Sequence, residues 1–76
     1  MYTEEMRRAF HSLRAPKGFS VEIIDNELFL TIRLSERAFL HLSHDEKLEA
    51  VQYVIRLKDA LEQNGAVVLV AREALK

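Results

Sequence analysis

SHDEKLEAVQYVIRLKDALEQNGAVVLVA, residues 43–71 of a 76-residue chain, decides how the rest must be arranged. Ser43-His44-Asp45-Glu46 has the form of a capping box, in which the Ser43 hydroxyl takes the Glu46 amide while the Glu46 carboxylate reaches back. Asp45 and Glu46 also place negative charge at the positive end of the helix dipole. The spacing predicts a helix to about Gln63, stopped at Asn64-Gly65, where glycine can take the left-handed conformation. Ala66 to Ala71 is a continuous apolar run, which reads as a strand covered on both faces. A strand reached through a helix lies parallel to an earlier strand, by a right-handed crossover. Such a strand belongs in the middle of a sheet, beside one or both hairpin strands, or at a sheet edge covered by a second subunit.

Working back toward the amino terminus, residues 35–42 fit two readings. Ser35 can cap a helical turn that buries Phe39 and Leu42, or Ala38, Leu40 and Leu42 can alternate as a strand. The acidic Glu36 at the start favours the helical turn. Before it, Phe19, Val21 and Ile23 share one face, and Leu28, Leu30, Ile32 and Leu34 another run of period two, joined at Asp25-Asn26 as a two-residue hairpin turn. At the start, Thr3 can cap a helix to Arg14, with Met6, Ala9, Phe10 and Leu13 forming its apolar stripe and Pro16 and Gly18 ending it. The fold class is therefore α+β, in the order α-β-β-α-β around a small single-layer sheet. Residues 1–76 make one domain, with 1–17 as amphipathic helix and turn, 18–71 as ββαβ core and 72–76 as a polar tail.

The long helix carries more apolar circumference than one sheet can hide. At 100° per residue with Leu48 at zero, Ala50, Tyr53, Val54, Leu57, Ala60 and Leu61 fall between about 120° and 240°, a stripe that covers a sheet. Leu48, Val51 and Ile55 form a second stripe near about 300° to 360°. It requires another surface, either the first helix or a copy of this chain. A chain of this size buries only about 63% of its unfolded surface, so a second subunit would add core.

Composition narrows the chemistry. Hydrophobic residues make up 49% of the chain, with two glycines, one proline and no cysteine, which excludes disordered and collagenous classes, disulfides and thiolate metal sites. No apolar run approaches the ~20 residues of a membrane span, so the expected setting is cytoplasmic with no membrane contact. His41, His44 and Asp45 invite a metal, but His41 precedes the helix start and no cysteine joins them. Ser43 and Ser35 lack a nucleophile elbow, and Gly18 and Gly65 stand alone rather than in a phosphate-cradling loop. The pairs Glu4/Glu5 and Asp45/Glu46 are explained by helix N-termini. No catalytic residue, cofactor or metal is expected.

What remains is surface. The expected function is a non-catalytic protein–protein interaction or regulatory module, self-associating as a homodimer or binding an unidentified protein partner. Its contact residues are Leu48, Val51 and Ile55 on the long helix and Ile24 and Phe29 on the hairpin. The alternative is nucleic-acid binding through Arg7, Arg8, His11, Arg14 and Lys17, since residues 1–18 hold four basic against two acidic side chains.

Overall fold

The computed structural model describes residues 1–73, with the side chains of residues 36, 38 and 73 outside the description. Helix α1 spans Glu4–Ser12, strand β1 Val21–Asp25, strand β2 Leu30–Ser35, helix α2 Glu36–Leu40, helix α3 His44–Gln63 and strand β3 Val68–Glu73. The sheet order is β1-β2-β3, with β1 antiparallel and β3 parallel to β2. The α+β order expected from the sequence is the one observed.

Helix α3 begins as its capping box dictates. The Glu46 amide donates to Ser43 Oγ at 3.2 Å and the Ser43 amide to Glu46 Oε1 at 2.8 Å. That backbone donor holds the Glu46 carboxyl below its ordinary value. At the other end Asn64 is the C-cap, and Gly65 sits at φ +94°, the conformation anticipated for it.

One face of the sheet carries the helices. Leu30, Ile32 and Leu34 of β2 are buried with Val68 of β3 and with Met6, Ala50, Tyr53, Leu57 and Leu61 from α1 and α3. The register places Val21 and Ile23 on this same side, since they pair with Leu34 and Ile32. Glu22, Ile24, Arg33 and Leu69 lie on the other side and are exposed, so the molecule has two layers and is 14 Å across its shortest dimension. No helix among the described residues is long and apolar enough to cross a membrane.

Four boundaries differ from the sequence reading. Helix α1 ends at Ser12 rather than Arg14: the Leu13 amide closes the last turn on the Phe10 carbonyl, and Leu13 itself is extended. Thr3 does cap it, accepting from the Met6 amide at 3.2 Å.

The hairpin turns at Glu27-Leu28, two residues beyond Asp25-Asn26. The Asn26 amide bonds the Phe29 carbonyl at 3.0 Å, and Glu27 takes φ +64°. Two interactions favour this register. The Asp25 carboxylate accepts the Glu27 amide at 3.0 Å, the Tyr2 amide at 2.9 Å and the Met1 amino group. The Met1 amino group foremost, with these amides, holds the Asp25 carboxyl below its ordinary range. Phe19 meanwhile leaves the strand and is buried edge-to-face against Phe39 and Tyr53, at centroid distances of 5.2 and 6.2 Å. Leu28, expected on the core face, is therefore 86% exposed at the turn.

Residues 36–40 form the helical turn, although the Ser35 side chain makes no capping bond. Finally, Arg72 and Glu73 extend β3 instead of starting a polar tail, pairing with Leu34 and Ser35. The remainder of that expected tail, residues 74–76, lies outside the described residues.

Candidate interaction surface

Helix α3 has two flanks, and α1 takes only one of them. The segment after α1 meets α3 in a surface groove of about 430 Å³ lined by Arg14, Ala15, Pro16, Glu49, Gln52, Tyr53 and Arg56. These α3 positions fall between about 40° and 140° on the helix map, whereas Leu48, Val51 and Ile55 fall near 300° to 360°. The second apolar stripe is therefore on the flank turned away from α1. Leu48 is 51% exposed, Val51 48% and Ile55 54%. Packing on the leading helix, one of the two covers expected for this stripe, does not occur.

Strand β3 adds to that exposed flank. It lies beside one hairpin strand, as expected, and pairs with β2 alone among the described strands, so its apolar run is not covered on both faces. Val70 pairs with Ile32, which puts it on the helix-covered side, yet it is 42% exposed because, among the described residues, no strand or helix lies beyond β3. Of the expected hairpin contacts, Ile24 lies on the opposite sheet face, in register with Thr31 and Leu69 across all three strands. Phe29 is half-buried in a small cleft of about 80 Å³ with Met6, Leu28 and Val67. The five residues expected to bind a partner thus divide among three places: the outer flank of α3, the far face of the sheet and the cleft beside Met6. Leu69 and Val70 were missed because an unbroken apolar run reads as buried, whatever its place in the sheet.

The basic amino-terminal residues do not form one helical stripe. Arg7 Nε and Nη2 donate to Glu4 at 3.0 and 2.6 Å, and Arg8 shares the same carboxylate at 3.5 Å. This pairing holds the Glu4 carboxyl low and the Arg7 guanidinium high. The His11 ring stacks on Phe10 at 5.4 Å, and Arg14 and Lys17 lie past the end of the helix. Among the described residues, no group of three or more His, Cys, Asp or Glu side chains is placed to hold a metal ion.

Against models of known protein families, curated proteins and solved structures, the chain matches none.

Proposed function

We propose that this protein is a non-catalytic interaction module that acts by self-association, with the outer flank of α3 as its contact surface. The observation that carries the reading is the row Leu48, Val51 and Ile55, half-exposed on a helix whose other apolar stripe is buried at Ala50, Tyr53, Val54, Leu57 and Leu61. Three aliphatic side chains one turn apart form a seam of the kind one helix presents to another. Placing a carboxylate in such a seam leaves a desolvated charge with no partner.

Val51→Glu is expected to weaken self-association at least tenfold, read as a shift of the monomer–dimer midpoint in sedimentation equilibrium. Val51 is half-exposed in the free chain, so far-UV circular dichroism should be unchanged. Equal association of both proteins over the same dilution range would remove α3 as the contact surface. The nucleic-acid reading predicts instead a salt-dependent gel shift, lost on Arg7→Ala with Arg14→Ala. The engagement of Arg7 and Arg8 with Glu4 weighs against it.

A further inference from the structure

The sheet has two edges, and they are unlike. The β1 edge carries Glu22 and Asp25, and the Asp25 carboxylate is occupied by the Met1 amino group and the Tyr2 amide. The β3 edge runs Val68-Leu69-Val70-Ala71 with no charge or proline before Arg72, and among the described residues its outer side has no neighbouring strand. Exposed edges of that kind are templates for another strand, and charges or proline are the usual protection.

From this we infer that two copies join through β3, antiparallel about a two-fold axis at Val70, making one six-stranded sheet. The inference rests on the self-association reading and specifies its geometry. Three observations support it.

The first is the ladder. The Leu30 amide bonds the Val67 carbonyl at 2.8 Å, so Val67, Leu69 and Ala71 turn their backbone groups toward β2. Val68, Val70 and Arg72 turn theirs outward. With Val70 opposite its own copy, Val68 stands opposite Arg72, and each outward residue exchanges both backbone bonds. Centring on Leu69 or Ala71 leaves one of them without a partner in the strand.

The second is spacing. Helix α3 connects β2 to β3 and shares one buried core with Ile32 of the first and Val68 of the second. Strands lie about 4.8 Å apart, so a helix above the β2–β3 pair sits about 4.8 Å from the axis and about 9.6 Å from its copy. Helices pack at about 8–10 Å. Joining the strands therefore brings the outer flanks of the two α3 helices together, Val51 nearest the seam, and covers Val70 in the same step.

The third is charge. That flank also bears Lys47 near the start of α3 and Glu62 near its end, where Glu62 holds Lys58 at 3.0 Å. Glu62 already neutralises Lys58 within each chain, and the two-fold sets the helices antiparallel, so the two Lys47 side chains stand at opposite ends of the contact. A parallel arrangement would oppose Lys47 to itself. The contact uses six strand residues and a similar number on α3, well under the ~20–30 per side of a standard interface, so the dimer dissociates on dilution.

The chain has no cysteine, which makes single-cysteine variants clean probes. Opposed residues of an antiparallel pair lie about 4.5–5.5 Å apart at Cα, within disulfide reach. Val70→Cys should convert most of the full-length chain to a disulfide-linked dimer under mild oxidation. Leu69→Cys and Ala71→Cys should each link poorly alone but link when mixed. If Ile55→Cys links while neither Val70→Cys nor the mixture does, the strand geometry is overturned and self-association through α3 stands. If the unmodified chain stays monomeric at every concentration and no variant links, both readings fail.

Discussion

Leu57→Ala tests the placement of α3 on the sheet. Leu57 has no solvent exposure, and the substitution removes three carbons from the centre of the core. Their transfer is worth about 0.8 kcal/mol each, or about 2.4 kcal/mol together. The two-layer core cannot collapse fully around the gap, and the cavity term raises the cost to about 3 kcal/mol or more. Chains of this length are stable by roughly 4–11 kcal/mol in total, so the loss is a large fraction. It corresponds to a fall in Tm of about 12–24 °C for a domain of this size. Leu48→Ala removes the same atoms one flank away, from a side chain already 51% exposed, and leaves no cavity. Its cost should be about 1 kcal/mol or less in the dilute limit, where self-association contributes nothing. Urea unfolding followed by far-UV circular dichroism at micromolar protein or below gives both values. Equal costs at the two positions, or a cost at Leu57 below about 1.5 kcal/mol, would refute the assignment of the two stripes.

Further expectations concern the ends of α3. Ser43→Ala should cost about 1 kcal/mol in the same assay, because it leaves the Glu46 amide without its acceptor. The Glu46 carboxyl titrates below its ordinary 4.5, so its share of the stability is present above that pH and is lost as pH falls through the lower folded-state value. The difference in urea midpoint between the unmodified chain and Glu46→Gln should therefore shrink as pH is lowered from 7 to 3, and a constant difference would contradict it. A Cβ at Gly65 would meet nothing within 4 Å, so Gly65→Ala should cost about 1 kcal/mol through backbone conformation alone. Gly65→Asn should cost less in the same urea unfolding, since asparagine tolerates positive φ better than alanine.

The parts of the fold that were legible in the sequence are those fixed by local chemistry. The capping box and Gly65 mark both ends of α3 with residues whose reason for being there is a single hydrogen bond or a single dihedral angle. The hairpin turn was misplaced because Asp25 is a turn former by composition, while the structure uses its carboxylate as an acceptor for three separate donors. No local pattern announces that Phe19 prefers the aromatic company of Phe39 and Tyr53 to a place in the strand. Edge or centre is likewise a property of the whole sheet. Val67, Leu69 and Val70 look as buried in sequence as Val68 does, yet they are 62%, 50% and 42% exposed against 5%. For the candidate surface, periodicity located the second stripe of α3. Which flank α1 would leave open depended on how the segment at Arg14 to Pro16 crosses the helix.

The pairing of β2 with β3 also bears on how quickly the molecule assembles. Every partner in that ladder, from Leu30 with Val68 to Ser35 with Glu73, is separated by the same 38 residues (68 − 30). Bringing such ends together costs about 3 kcal/mol of chain entropy before the first contact repays any of it. The hairpin bears no comparable cost, because Asp25 and Leu30 are nearly adjacent in the chain. A 20-residue helix forming between β2 and β3 stiffens the intervening chain and shortens the search. The expected rate-limiting event is the docking of α3 with its following strand onto a hairpin already made, so in stopped-flow refolding mutations that weaken the helix should slow folding more than those at the turn.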